Sequence, residues 1–399
     1  MKIIYFKWNS FGADDIKDAF EILGHEVVSV TYSNDDVYRD EKLQKTLIDK
    51  MVSVQADIAF SSNYFPPIAE ACHDVKIPYI SWIYDSPHVM LYSYTTIYET
   101  NHIYVFDKEQ YSEFVRNNIN TVHYMPLAAN PVRLRKLIED NKQQILFKNS
   151  RFYNQTDIAF VGALYDEEHT FYRRLESISD YTRGFLEGII ATQKQVFGYN
   201  FVRELMREDI MDDMSKDIPM KSNSDSVADR AYLFAEYCMN REITARERNE
   251  YLNGICQKFC VDKKPVVDIY TKNDSFNIEG LVNHGFIDPY TAAPFVYDRA
   301  KININLTLRS IHTGIPLRAF EILGSGGFLL SNYQADFADC YVDGVDYVSY
   351  SSKDDMLDKI AYYLSHENER REIAANGLRR TKEENTYVHR LGEMINEVN

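Results

Sequence analysis

No stretch of the 399 residues approaches the ~18 apolar residues that a membrane helix needs, and the opening MKIIYF has neither the apolar core nor the small-residue cleavage site of a signal peptide. The expectation is a soluble, cytoplasmic protein with no integral membrane segment. Cysteine is scarce and odd in number, five in all, which excludes a disulfide framework. Cys256 and Cys260 stand four apart, but no second pair or nearby histidine completes a zinc site, so buried free thiols are expected. A long basic run is also missing. With 44 Lys+Arg against 60 Asp+Glu, the formal charge is -16, which argues against a nucleic-acid partner because phosphate binding needs a basic face. What is present in quantity is core-forming material. Hydrophobic residues make up 45% and aromatic residues 14% of a chain long enough for two or three domains of ~150 residues each.

Short apolar runs alternate with amphipathic segments from the start. Residues 2–6 read as a strand, 14–23 as a helix ended by Gly24, and 26–30 as the next strand. Further strands are expected at 58–61, 79–83, 103–106 and 121–124, with helices at 69–73 and 110–116 between them. Strands that alternate with helices imply a parallel sheet covered on both faces, because parallel strands need crossover connections. This α/β rhythm breaks in the polar stretch 126–154 and restarts at 157–161, which divides the chain into a domain at 1–155 and a second at 156–385, followed by a C-terminal helix at 386–399. Between about 166 and 262 only helical spacing is visible, as in 228–238 and 245–259, so a helical insertion is expected within the second domain. Strands resume at 266–270, 302–306, 328–331 and 347–350.

The most informative stretch is RSIHTGIPLRAFEILGSGG, residues 309–327. Gly314 and Pro316 set a turn and a helix begins at Leu317. Gly324, Gly326 and Gly327 allow close backbone approach before the next strand. The unpaired N–H groups and positive dipole end of that helix suit a diphosphate, to which Arg309 and Arg318 add charge-assisted hydrogen bonds. Glu321, one turn on, can accept from ribose hydroxyls. The alternative for the same residues is an ordinary helix with an i,i+3 Arg318–Glu321 pair, worth about 0.3 kcal/mol. Gly162, at the end of the second domain's first strand, has the position of a phosphate-facing turn.

In the first domain, WIYDSPH at 82–88 directly follows a strand, where the ligand-facing loops of parallel sheets lie. Asp85 or His88 is a candidate general base for an acceptor hydroxyl, each having a proton-accepting form near neutral pH. The other use of Asp before Ser-Pro is to satisfy backbone N–H groups in a turn. The loop Trp8 to Gly12 is expected to face the same cleft. No Asp-x-Asp stands at a strand end. Asp212-Asp213 and Asp354-Asp355 read as solvated charge, so no metal and no cofactor is implied.

The segment 297–377, with VYDRAKININLTLRS, GIPLRAFEILGSGGFLLSNY, DGVDYVSY and YYLSHENERREIAANG, resembles the C-terminal domain of CgeB-like glycosyltransferases. DIAFVGALYD and TYVHRL extend the likeness, as do YFKWNSF, SWIYDSP and MPLAAN in the first domain. The resemblance covers most of the chain outside the insertion. It implies the GT-B fold, two facing Rossmann-like domains that take a nucleotide-sugar between them. In related retaining enzymes a Glu-x7-Glu pair spans the helix, its second Glu holding the ribose. That role falls to Glu321, whereas the first position is Thr313, so His312 or Thr313 takes a share of sugar recognition by a different geometry. Gly285-Phe286-Ile287 falls where such enzymes hold the base, and Phe286 with the free backbone groups of Ile287 would fit a uracil. A buried turn Phe is the alternative.

These readings converge on a metal-independent transferase that moves a sugar from a nucleotide-sugar, expected to be a UDP-sugar, to an unidentified acceptor, a protein or a surface glycan. The donor is expected on the second domain and the acceptor on the first. A nucleotide-sugar epimerase or hydrolase of the same fold is the competing enzyme reading, and a non-catalytic nucleotide-sugar-binding scaffold is the competing class. A Rossmann dehydrogenase is disfavoured because no Gly-x-Gly-x-x-Gly follows the first strand.

Overall fold

A computed structural model describes residues 1–8, 12–33, 41–142, 156–166, 170–262 and 264–398. Among these residues the strands form two six-stranded sheets, parallel throughout. The first contains β1 (Lys2–Lys7), β2 (Glu26–Thr31), β3 (Ile58–Ser62), β4 (Tyr79–Trp82), β5 (Asn101–Val105) and β6 (Val122–Tyr124), in the order β2-β1-β3-β4-β5-β6. The second contains β7 (Thr156–Val161), β8 (Val267–Tyr270), β9 (Leu281–Asn283), β10 (Ala300–Asn305), β11 (Leu329–Asn332) and β12 (Val348–Tyr350), in the order β12-β11-β10-β7-β8-β9. Helices cover both faces, so a central strand such as β3, IAFSS, is buried at every position.

The order of each sheet reverses once, beside β1 in the first and beside β7 in the second. Ligands of open α/β sheets bind in the crevice outside the carboxyl ends of the strands at such a reversal. In the second sheet that crevice lies between β7, which runs into Gly162, and β10, which runs into the loop before the Leu317–Ser325 helix.

The two sheets are held together through a shared core. Tyr5, Trp82 and, from a covering helix, Phe20 on the first side and the helix residues Ala319, Phe320 and Tyr297 on the second belong to one apolar cluster, which the C-terminal helix Tyr387–Val398 completes with Leu391 and Met394. That last helix returns across the molecule and packs on the first helix, Ala13–Ile22.

Between β7 and β8 the chain is helical. It includes Asp180–Gln193, Glu208–Met214 and a long helical run from Arg230 to Phe259 that passes through a π-helical stretch, Phe234–Met239. This insertion has a core of its own around Leu186, Ile210, Met214 and Phe234. It also reaches the first domain, where the Tyr92 and Tyr232 rings meet at 4.4 Å and Arg203 pairs with Glu113 at 2.8 Å. Among the described residues no helix is long and apolar enough to cross a membrane.

Candidate functional site

The Leu317–Ser325 helix starts after Pro316, and no side chain caps its first turn. Ala319 N donates to Pro316 O at 2.9 Å, which leaves the N–H groups of Leu317 and Arg318 for a ligand at the positive end of the helix dipole. Arg318, in that first turn, extends to Gly162 at the end of β7. A Cβ built on Gly162 would fall 2.5 Å from Arg318 Nη2, and the glycine holds φ at +154°. Glycine is what lets the guanidinium lie against the turn.

A second guanidinium joins it. Arg248, on the long insertion helix Asn240–Phe259, is 2% exposed and donates to the carbonyls of Ala163 and Leu306, at the ends of the two strands that flank the crevice. Its Nε has no partner among the described residues. Burial, with the nearby positive charge of Arg318, brings its pKa down to about 10. Among the described residues neither Arg248 nor Arg318 has a carboxylate within 4 Å, and Arg318 interacts instead with the Tyr297 hydroxyl. The i,i+3 pair between Arg318 and Glu321 is accordingly not formed.

Glu321 lies on the same helix, partly exposed, with no hydrogen-bond or ion-pair partner among the described residues. Burial of its carboxyl raises the pKa to about 7, against the opposing pull of Arg318 and Arg133. Arg133 is already committed to Asp15, at 2.8 Å and 3.1 Å from the two carboxylate oxygens, and stacks on the Tyr290 ring at 3.6 Å. These contacts tie the first and fifth helical segments of the first domain, Ala13–Ile22 and Pro131–Lys142, to the loop before Ala293–Arg299.

The remaining expected site residues are distributed differently. Arg309 is bound into the insertion: its Nε meets Glu247 at 2.8 Å, its Nη2 meets the same carboxylate, and its Nη1 donates to Val196 O at 2.8 Å. His312 and Thr313 face the first domain, where their N–H groups donate to Asp107 at 2.6 Å and 3.1 Å. Burial alone would lower the His312 pKa, but the Glu236 carboxylate 3.2 Å away lifts it to about 9 and keeps the ring protonated. Gly314 follows against the first domain, since a Cβ there would sit 2.7 Å from Phe106 O. Gly326 is at the far end of the helix, where it provides a left-handed C-cap at φ +83°. It is separated from the ligand-facing end by the helix length, about 12 Å.

Phe286 is 53% exposed on the loop after β9, with Lys272 Nζ 5.4 Å from its ring centroid. It is therefore not the buried turn residue of the alternative reading. Ile287 beside it has its side chain in the core, leaving only its main chain to face a ligand.

On the opposite domain Asp85 is exposed in the loop after β4, and its Oδ2 accepts from Asn63 Nδ2 at 2.7 Å. Asn63 Oδ1 in turn accepts the N–H groups of Tyr84 and Asp85, so the loop is fixed from below. His88 is 5% exposed, and its Nε2 lies 3.2 Å from Tyr64 N and 3.0 Å from Tyr64 O. Burial pushes its pKa down. Of the two candidate bases, Asp85 has the exposed carboxylate. Asn9, Ser10 and Phe11 of the loop after β1 lie outside the described residues. No group of three or more His, Cys, Asp or Glu that could hold a metal ion is found among the described residues.

Arg248 has no counterpart in the sequence reading. The available signal was the composition of its helix: NREITARERNEYLNGICQKF carries Glu247 and Arg248 side by side, both buried, within an amphipathic pattern too weak to mark a solvent-facing side. Buried charge inside a long helix points to a partner elsewhere.

Residues 264–396, the last third of the chain, match the family described as glycosyl transferase-like. Solved structures similar along the whole chain include a UDP-forming α,α-trehalose-phosphate synthase from Burkholderia xenovorans, at TM-score 0.54 and 11% identity, covering 100% of this chain and 98% of that one. A glycosyltransferase from Rickettsia africae aligns at TM-score 0.51 and 9% identity, covering 100% and 98%. The sucrose-phosphate synthase of Thermosynechococcus elongatus aligns at TM-score 0.50 and 12% identity, covering 100% and 99%. No curated protein matches the chain by sequence. The chain thus carries a glycosyl transferase-like domain within the two-domain GT-B fold.

Proposed function

We propose that the protein is a GT-B glycosyltransferase of the CgeB-like kind that uses a UDP-sugar, with the donor on the second domain and the acceptor on the first. The observation that carries this reading is the pair Arg248 and Arg318, two guanidinium groups without a carboxylate, at the glycine turn of the second sheet's crevice and beside an uncapped helix start. Two like charges held together are costly unless an anion joins them, and a diphosphate is such an anion. The UDP-forming reaction named for the trehalose-phosphate synthase neighbour is consistent with the base being uracil.

The roles then divide by domain. Arg248, Arg318 and the helix N-terminus hold the diphosphate against Gly162. Glu321 accepts the ribose hydroxyls, and Phe286 with the main chain of Ile287 faces the base. In the transfer, an acceptor oxygen bonds to the anomeric carbon as the bond from that carbon to the diphosphate oxygen breaks. The electron pair leaves with UDP, and the acceptor proton passes to Asp85. Negative charge grows on the leaving diphosphate in the transition state, so the two arginines act most strongly there, in the place a metal ion takes in other transferases.

Binding tests this reading without knowledge of the acceptor. UDP or a UDP-sugar should raise the melting temperature and NAD should not, because a ligand bound only by the native state stabilises it by mass action. A shift with NAD and none with any nucleotide-sugar contradicts the proposal.

A further inference from the structure

Where the first domain, the insertion and the loop after β10 meet, they enclose a cavity of about 350 Å³. Each wall comes from a different part of the chain. The first domain contributes Ser86 and Pro87, next to Asp85, together with Gln110 and its neighbours on the Lys108–Arg116 helix. The insertion contributes Tyr199, and His312 and Thr313 close the third side.

The charges of this cavity are already satisfied by one another. Glu109 pairs with Arg116 at 2.8 Å, Glu113 with Arg203 at 2.8 Å, and Glu236 with His312 at 3.2 Å, while Glu204 accepts the Tyr199 hydroxyl. An anionic ligand would meet carboxylates that outnumber the cations, and a lipid tail would meet ion-paired groups between the Pro87, Tyr92 and Tyr232 surfaces. Two features remain unspent. The Tyr199 ring is 57% exposed, and the Gln110 side-chain amide has no hydrogen-bond partner among the described residues, its main-chain N–H alone being held by Asp107. An exposed ring beside planar groups that both donate and accept suits a ligand with an apolar face and a rim of hydroxyls.

We propose that this cavity binds a neutral saccharide as the acceptor, and that the insertion exists to complete it. The proposal rests on the transferase reading above and adds the acceptor's chemical class and place. The location fits the reaction. The loop bearing Asp85 forms one wall, and Thr313, in another, is five residues from Arg318, at most ~18 Å along the chain. A donor held at Arg318 and an acceptor held in the cavity therefore lie on two sides of one short loop.

The test uses saturation-transfer NMR on the full chain with maltose, lactose, cellobiose and N,N′-diacetylchitobiose, and with glucuronate and glucosamine as charged controls. UDP binding is measured in parallel on the same samples. At least one neutral disaccharide should bind. Tyr199→Ala, a change at an exposed side chain, should weaken that binding about ten-fold or more while leaving the UDP affinity unchanged. UDP binding with no signal from the neutral disaccharides overturns the cavity proposal and leaves the transferase reading intact, as does a signal only from a charged sugar or one indifferent to Tyr199→Ala. Disaccharide binding that depends on Tyr199, in a protein that binds no UDP, supports the cavity as a saccharide site and removes its assignment to a transferase acceptor.

Discussion

Asp107 and Thr313 stand on opposite domains and meet through both side chain and main chain: Asp107 Oδ1 accepts from Thr313 Oγ1 at 3.0 Å, and Oδ2 accepts from the Thr313 N–H at 3.1 Å. The same carboxylate caps the Lys108–Arg116 helix by accepting from Glu109 N at 2.9 Å, and also accepts from His312 N at 2.6 Å. One buried group therefore both starts a helix of the first domain and fixes the loop that leads to the candidate donor site of the second.

Replacing it should affect both. Asp107→Ala removes a helix cap, worth about 1 kcal/mol, and leaves partly buried N–H groups of the other domain unsatisfied at about 1–3 kcal/mol. The expected outcome is a loss of about 2–4 kcal/mol in urea unfolding. A loss below about 0.5 kcal/mol, the level of an ordinary surface change, would mean that the contact does not hold the domains together.

Glu321 carries the pH dependence. Its pKa in the folded chain, about 7, lies above the ordinary 4.5. Its contribution to ligand-free stability is therefore fully present below 4.5 and is lost as the pH rises through about 7. Binding runs the other way, because ribose hydroxyls donate to the ionised carboxylate. UDP-glucose, whose diphosphate keeps a constant charge in this range, should bind about ten-fold more tightly at pH 8 than at pH 6. In Glu321→Gln the profile should flatten. An identical pH profile in wild type and variant would remove Glu321 from ribose recognition.

Arg248→Met separates ligand binding from folding. The change sheds a buried cation that lacks a carboxylate but orphans the carbonyls of Ala163 and Leu306, so the two effects on stability oppose each other. Stability should stay within about 2 kcal/mol of wild type while UDP-sugar affinity falls ten-fold or more. Unchanged affinity in a folded variant would show that the cation serves the fold alone.

Gly162→Ala approaches the same point from the turn. A Cβ directed at Arg318 Nη2 must displace that side chain, so nucleotide affinity should fall with little change in the rest of the molecule, as isothermal titration would register. Arginine displacement without loss of affinity would place the diphosphate elsewhere.

Much of the architecture was legible in the residues. Apolar runs such as KIIYFK and TDIAFV stand between amphipathic helices with clear stop signals, and both parallel sheets were expected from that alternation. β9, LVN, was not expected, because three residues between loops carry no periodicity and become a strand only by pairing with β8. The candidate donor-side residues Arg318 and Glu321 were visible as a local pattern, since one helix turn holds both. Arg248 and Asp107 were not, because their significance lies in contacts between segments 85 and 206 residues apart that no local spacing encodes. Arg309 shows the converse: a charged residue in the right stretch, drawn away by Glu247 from a helix that sequence reading had set apart as an insertion.

Turnover decides the central claim. Pure protein is incubated with a panel of UDP-, GDP- and ADP-sugars in EDTA, with and without the neutral disaccharides, and free nucleotide and intact donor are both followed. The account predicts release of UDP from at least one UDP-sugar in EDTA, loss of that release in folded Arg318→Ala, and loss of acceptor-stimulated release in Asp85→Asn with UDP-sugar binding intact. An isomerised but intact donor, release only after Mg²⁺ or Mn²⁺ is restored, or no release from any nucleotide-sugar would contradict it.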